Sequence, residues 1–223
     1  INEIRKFQIK ERSQDILFAD RYSFCIIDNN KFNELNLKEV KNFVKKFYID
    51  TFLVDQNGCS SPHLIIWHGI KKNKNKELFW ETLYQEAKDK YSLNNKASYE
   101  KFAMSCNYIL NEKKFLKFKN YQNYLYRFEI KKLDKDMQRL KGKWGVFFEY
   151  NSNNLNQINK IINKNFQTLT YFGFKKDNLV SHIIDNKLKG IDRVVPVGQS
   201  LNINLLWDGY DLSKSLTRVI GLE

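Results

Sequence analysis

Among residues able to do covalent chemistry near neutral pH, the chain offers three cysteines, Cys25, Cys59 and Cys106. Cys25 lies inside the run Phe24-Cys25-Ile26-Ile27. Cys106 shares a helical face with Phe102, Ile109 and Leu110. Both read as small buried hydrophobes. Cys59 is different. It follows Asp55-Gln56-Asn57-Gly58 and precedes Ser60-Ser61-Pro62-His63, with a flexible Asn-Gly bend before it and a stiff proline after it. A thiol held on such a loop can meet a substrate carbonyl. Its thiolate is both nucleophile and leaving group, so it can accept an acyl chain and later release it. Spacing alone leaves Cys59 open between that role and an unreactive loop thiol. His63, four residues on, would face Cys59 only along a helix, which Ser-Ser-Pro does not favour, so it reads as a structural imidazole rather than a base. The cysteines and His63, His68 and His182 lack paired metal-ligand spacing, so no metal is expected. There is no Gly-x-Gly-x-x-Gly, Gly-x-x-x-x-Gly-Lys or Gly-x-Ser-x-Gly sequence. The common local cradles for dinucleotides and nucleoside triphosphates are therefore missing from this stretch, as is a serine elbow.

The elements that must position Cys59 can be read on either side of it. Tyr22 to Ile27 is β-rich and reads as a strand. Asn36 with Glu39 is a reciprocal cap, followed by Leu37, Val40, Phe43, Val44 and Phe47 at helical spacing. That helix ends before Asn57-Gly58, and Leu64-Ile65-Ile66-Trp67 reads as a buried strand. Two helices are expected next, over 78–91 and 98–116, then strands over 124–130 and 144–150. A short helix over 155–162 and a strand over 166–172 follow. Asp177 is expected to cap a helix carrying Leu179, Val180, Ile183, Ile184 and Leu188. Gly190 reads as its C-cap, ahead of a strand over 191–195. Strands alternating with helices predict an α/β fold with a mostly parallel sheet covered by helices on both faces. In such sheets, reactive groups gather in loops at strand ends.

Size and charge bound the rest. A chain of 223 residues with 42% hydrophobic and 28% charged residues can bury a sizeable core and does not have the composition of a disordered chain. No apolar run reaches the ~20 residues of a membrane span. No secretory signal is visible, and the odd, irregular cysteines suggest a reducing cytoplasm. The chain opens on Ile1, which reads as a piece of something longer. The net charge of +13 raises the question of nucleic acid. However, only seven of the 38 basic residues are arginine, and the lysine runs are mixed with asparagine. Solvated faces account for this pattern better than phosphate or base recognition does. Some lysines remain available to attract an anionic substrate carrier.

Two stretches resemble a known family. One is Phe52 to His63, with its Asp-Gln-Asn-Gly-Cys-Ser-Ser-Pro core. The other is Gly190-Ile191-Asp192-Arg193-Val194-Val195-Pro196-Val197-Gly198-Gln199 followed by Trp207-Asp208-Gly209-Tyr210-Asp211-Leu212 and Leu216-Thr217-Arg218. Together they resemble the LuxC-type long-chain acyl-CoA (acyl-protein thioester) reductases, known from bacterial bioluminescence and related to the aldehyde dehydrogenases. The resemblance runs from about Asp20 to the C-terminus. It implies an aldehyde-dehydrogenase-like catalytic domain in which Cys59 takes the acyl group as a thioester. A nicotinamide cofactor, NADPH, would then deliver hydride and release a fatty aldehyde. It also implies a division into 1–28, the tail of a cofactor domain, 29–205, the catalytic domain, and 206–223, a closing segment used in oligomer contacts. The upstream half that carries most of the cofactor site does not correspond to anything in this sequence.

Around Cys59 the expected wall consists of Gln56, Asn57, Ser60, Asp192, Arg193, Asp208 and Asp211, with an arginine–aspartate pair among the last four fixing the loops. The expected partners are a long-chain acyl-CoA or acyl-protein thioester and a second copy or acyl-transfer subunits, without nucleic acid. Two further readings stay open: a cysteine acyltransferase or thioesterase that performs no reduction, and an inactive basic interaction module.

Overall fold

The computed structural model describes residues 3–69, 74–218 and 220–221. Within them, strands β1 (Tyr22–Asp28), β2 (Pro62–His68), β3 (Phe115–Tyr121), β4 (Leu125–Ile130), β5 (Val146–Ser152), β6 (Phe166–Phe172) and β7 (Arg193–Pro196) form one sheet in the order β3-β4-β5-β2-β1-β6-β7. Neighbours run parallel except β3 and β4. Strand β1, read from the sequence as the end of an upstream tail, lies between β2 and β6 near the middle of the sheet.

Alternation along the strands splits the core in two. Cys25, Ile27, Ile65, Trp67 and Phe147 face helices α1 (Asn29–Asn33), α2 (Leu37–Thr51) and α3 (Lys74–Lys90), which contribute Phe32, Phe43, Phe47, Phe79 and Trp80. Phe24, Ile26, Leu64, Ile66, Phe128 and Phe148 face the other way, toward Met137, Leu140, Ile158 and Leu179. Leu179 belongs to α5 (Lys176–Asp185), and the flank of α4 (Asn95–Asn111) packs on the same side through Met104 and Tyr108. The expected parallel sheet with helices on both faces is what forms.

Several local expectations hold. Asn36 Oδ1 accepts from the Glu39 N–H at 3.1 Å and Glu39 Oε2 accepts from the Asn36 N–H at 2.8 Å, which closes the predicted capping box. Others do not. The helix expected over 98–116 stops at Asn111, and an antiparallel edge strand, β3, begins at Phe115. The 155–162 helix is a 3-10 segment over Leu155–Lys160. The N-cap of α5 is Lys175 rather than Asp177, and its C-cap is Asn186 rather than Gly190.

The face of α4 is also reversed. Ala97, Lys101 and Ser105 are buried, whereas Phe102, Ile109 and Leu110 are exposed and Cys106 is half-buried. Lys101 explains the orientation. Its ammonium donates to the carbonyls of Asn123 and Trp144 and sits 5.0 Å from the centre of the Tyr126 ring, so the helix turns its cation inward, where carbonyl oxygens hold it. Burial lowers the Lys101 ammonium to about 7.

A short hairpin, β8 (Leu206–Trp207) with β9 (Tyr210–Asp211), and helix α6 (Leu212–Ser215) follow β7.

Candidate active site

The loop from α2 to β2 is built backwards from its backbone. After a 3-10 turn over Phe52–Val54, Asp55 and Gln56 both adopt left-handed conformations, with φ of 56° and 58°. Two such residues in a row are costly for side chains other than glycine, and the surroundings hold them. The Gln56 side chain is buried. Its Nε2 donates to the carbonyls of Val146 at 3.0 Å and Pro62 at 3.2 Å, and its Oε1 accepts from the Gly145 N–H at 3.2 Å. The Asp55 carboxylate accepts from Tyr91 Oη at 2.6 Å, and the Asp55 carbonyl accepts from the Trp144 N–H at 3.1 Å. Gln56 thereby rivets the cysteine loop to the start of β5. The approach is close enough that a Cβ on Gly142 would lie 1.7 Å from the Val146 carbonyl oxygen.

Beyond that rivet the chain bends, with the Ser61 N–H donating to the Gly58 carbonyl at 2.9 Å. Cys59 sits in the bend, half-buried. Ser23 on β1 ties its backbone down: Ser23 Oγ donates to the Cys59 carbonyl at 2.6 Å and accepts from the Thr168 N–H at 3.0 Å. The Cys59 thiol reaches the Ala19 carbonyl at 3.6 Å. A cavity of about 280 Å³ opens beside the sulfur, lined by Asp20, Arg21, Gln56, Asn57, Cys59 and Lys141 together with Gly58, His63, Gly142 and Lys143. A second, of about 260 Å³, shares Asp20, Arg21 and Lys141 with it.

Three cations and one carboxylate line the first cavity. Lys141 pairs with the exposed Asp20, and Lys143 projects into solvent near the Trp144 ring. These cations can face the oxyanion of a tetrahedral adduct formed in the cavity. His63 does not supply a base. It is 4% exposed and packs on Tyr22 with ring centroids 5.2 Å apart. Burial, reinforced by Lys141, pushes its imidazolium down to about 3, more than ~5 units below an ordinary thiol. By contrast, burial raises the thiol of Cys25 to about 12, and that residue is fully buried in β1.

The structure divides the remaining sequence candidates. Gln56 and Asn57 line the cavity with Cys59, whereas Ser60 is buried and is not part of that lining. The arginine–aspartate pair exists, but its arginine is Arg21 and not Arg193. Arg21 donates to Asp192 Oδ2 at 2.6 Å, to Asp208 Oδ1 at 3.1 Å and to the carbonyls of Phe166 and Gly190 at 2.8 and 3.2 Å. Gln167 Nε2 also donates to Asp208 Oδ1, at 2.7 Å. Burial raises the Asp192 carboxyl, while Arg21 draws it down.

Arg193 instead holds a loop. Its guanidinium donates to the carbonyls of Ser200 at 2.8 Å and Asn202 at 2.9 Å and stacks 4.4 Å from the centre of the Trp207 ring. Buried Asp50 accepts from the N–H groups of Gly198 and Ser200 in the same loop, at 2.6 and 2.9 Å. The loop in turn brings Leu201 up behind Gly58. Asp211 is not at the cysteine; it caps α6, accepting from the Lys214 N–H at 3.2 Å. Sequence reading missed Asp20, Arg21, Ser23, Asp50, Lys141 and Lys143. A lone arginine ahead of a strand, or a lysine in a lysine-rich chain, carries no local signal.

Among the described residues, no group of three or more His, Cys, Asp or Glu side chains could hold a metal ion. No helix is long and apolar enough to cross a membrane, among those residues.

Comparison with known proteins gives three findings. The family model described as Acyl-CoA reductase (LuxC) matches residues 1–219. No curated protein matches. Among solved structures, the chain is similar to 1-pyrroline-5-carboxylate dehydrogenase from Thermus with bound NAD, at 11% identity and a TM-score of 0.53, over 86% of this chain and 39% of that one. It is similar to a mutant of the Thermus thermophilus enzyme of the same name, at 11% identity and a TM-score of 0.52, over 87% and 39%. It is also similar to aldehyde dehydrogenase 21 from Physcomitrella patens in complex with succinate, at 10% identity and a TM-score of 0.50, over 82% and 39%. At such identities the likeness establishes an aldehyde-dehydrogenase-like fold and nothing finer. The chain spans 39% of the length of these structures.

Proposed function

The chain belongs to the acyl-CoA reductase (LuxC) family, and we propose that it carries the acyl-accepting half of an NADPH-dependent fatty acyl-thioester reductase, with Cys59 as the acceptor. The observation that carries this reading is the thiol of Cys59 on the rim of a cavity of about 280 Å³ with three cations in its lining. In the proposed reaction the Cys59 thiolate attacks the carbonyl carbon of a long-chain acyl-CoA or acyl-protein thioester. A C–S bond forms, and the carbonyl π pair moves onto oxygen. The oxyanion collapses, expels the donor thiolate and leaves an acyl-Cys59 thioester. The Cys59 backbone N–H and the Asn57 side chain, which lines the cavity, are the proposed donors to that oxyanion, and each such donor typically contributes ~10²–10³ in rate.

NADPH is the proposed hydride donor, the cofactor that the family resemblance implies. When bound, the nicotinamide supplies a hydride to the acyl carbonyl. This chain's residues hold the acyl group, neutralise the adduct and take back the thiolate. The domain division belongs to the same proposal, with the cofactor-domain tail shortened to residues before β1, because β1 is hydrogen-bonded on both edges within the catalytic sheet. The segment after 205 is proposed to contact a second copy.

A thioesterase is less well supported, because hydrolysis needs a base to activate water and the imidazole in the cavity, His63, is held neutral. The test is intact-mass and peptide mass spectrometry after incubation with palmitoyl-CoA. The expected result is one acyl adduct, on Cys59, absent from Cys59→Ala. Equal labelling of Cys59→Ala would refute the assignment.

A further inference from the structure

Arg21 has no counterpart among the roles inferred from the sequence, yet it is the most connected side chain near the sulfur. It stands one residue before β1, and its guanidinium gathers three separate pieces of chain: Phe166 at the start of β6, Gly190 and Asp192 ahead of β7, and Asp208 at the tip of the β8–β9 hairpin. Its side chain is 13% exposed and that of Asp208 is 2% exposed, so the pair is held in geometry and little screened by water. Asp208 itself has a left-handed backbone, with φ of 53°. Arg21 and Gln167 together fix that strained corner.

The same segment touches the thiol. Two residues before Arg21, the Ala19 carbonyl accepts from Cys59 Sγ at 3.6 Å, and the Arg21 side chain lines the cysteine cavity. We propose that Arg21 is a positioning residue for Cys59: pinned by Asp192 and Asp208, it fixes the wall against which the sulfur rests and sets the charge that the sulfur meets. The Trp207-Asp208-Gly209-Tyr210 hairpin would then govern the reactivity of a thiol far from it in sequence, through one guanidinium. This rests on the reading of Cys59 as a working thiolate.

The charged and titratable groups facing the cavity come from three directions: Asp20 and Arg21 before β1, His63 on β2, and Lys141 and Lys143 before β5. Asp192 and Asp208 stand behind Arg21. His63 stays neutral near pH 7, and Asp20 is paired with Lys141. Removing the Arg21 charge therefore leaves two carboxylates uncompensated next to the cavity. Removing the Asp208 charge frees part of Arg21's field. The two changes break the same ion pair, so both loosen the fold, yet they act on the sulfur with opposite sign.

The experiment is the rate of Cys59 alkylation by iodoacetamide at pH 7, followed by peptide mass spectrometry, which separates Cys59 from Cys25 and Cys106. The thiolate displaces iodide and forms a C–S bond. The reagent is neutral, so charge changes do not act on its approach. Arg21→Gln is expected to slow alkylation about tenfold and Asp208→Asn to quicken it about threefold, magnitudes typical of one partly buried unit charge near a thiol. Arg21→Lys, which keeps the charge and loses the fork, should recover most of the parent rate.

Rates that move in the same direction in Arg21→Gln and Asp208→Asn, or that do not move, would overturn the proposal, since a purely structural role gives that pattern. If Arg21→Gln fails to fold, Asp208→Asn alone decides: a rate unchanged or slowed overturns the proposal. Palmitoyl-CoA labelling of the parent protein is read separately. Its absence would remove the acyl-acceptor assignment while leaving the alkylation comparison intact.

Discussion

Replacing Gln56 with leucine removes one acceptor and two donors while nearly conserving volume. The parent side chain is 1% exposed and makes three hydrogen bonds, to Pro62, Val146 and Gly145. Leucine leaves the Gly145 N–H and the Pro62 and Val146 carbonyls facing an apolar group. A buried polar group stranded in this way costs about 1–3 kcal/mol, more than the net ~1 kcal/mol of the bond itself. Part of the strand-start geometry will relax, so the sum should fall near 3 kcal/mol. For a chain of this length each kcal/mol lowers the melting temperature by roughly 2–4 °C, so the expected fall is about 6–12 °C. Urea unfolding followed by tryptophan fluorescence gives the free energy directly, and circular dichroism gives the melting point.

A second readout ties the bond to the site. Because Gln56 joins the Cys59 loop to the wall at 142–146, acyl uptake from palmitoyl-CoA should slow well below the parent rate at temperatures where the variant is fully folded. A stability loss under ~0.5 kcal/mol, the range of an ordinary surface change, would refute the reasoning. So would full acylation activity in a variant that had lost the expected stability, since the loop would then keep its shape without the rivet.

Glu149→Gln should be among the most destabilising single changes, by about 3–5 kcal/mol. The fully buried carboxylate accepts from the indoles of Trp67 and Trp80 at 2.9 and 3.0 Å and faces Lys76 and Arg127 at 3.1 and 3.0 Å; an unchanged urea midpoint would contradict this. The acid limb of stability should depend on His63. Its folded value of about 3 lies below the ordinary 6.5, so the unfolded chain binds the proton first and stability is lost as pH falls from 6.5 toward 3, by up to about 1.4 kcal/mol per unit. Asp50, held up at about 6 by burial, has the opposite sign and gains stability as pH falls from 6 toward 4. Urea midpoints between pH 6.5 and 4.5 should therefore fall less steeply, or rise, in His63→Gln, and fall more steeply in Asp50→Asn. A His63→Gln curve parallel to the parent would refute the assignment.

What could be read in the sequence was whatever is encoded locally. The Asn36–Glu39 box, the β-rich and apolar runs of β1 and β2 and the bend at Gly58 each depend on residues within a few positions, and each stands where it was expected. Cys59 was legible for the same reason, since its neighbours alone place it on a turn. The errors have physical sources as well. Phe102, Cys106, Ile109 and Leu110 keep helical spacing, but spacing does not say which side of a helix meets the sheet. Lys101, bound to two carbonyls from distant turns, decides that, and its partners lie 22 and 43 residues away. Edge strand β3 carries Lys117 and Lys119 and follows the helix with no proline or glycine between them, so its start at Phe115 has no local signal. The expectation of an arginine–aspartate pair among Asp192, Arg193, Asp208 and Asp211 did not find Arg21, because the fold brings together residues 171 and 187 positions apart. No periodicity reports such a meeting.

The order in which a ribosome delivers these parts has a consequence of its own. Strand β1 emerges first, but one of its two neighbours, β6, begins at Phe166, and the hairpin that clamps Arg21 comes later still. At about 5–20 residues per second, Cys59 is synthesised roughly 7–30 s before Asp208. A nascent chain thus carries this thiol before the pocket around it is complete, and oxidants or stray electrophiles in the cell can reach it once it has left the ribosome and until the pocket closes.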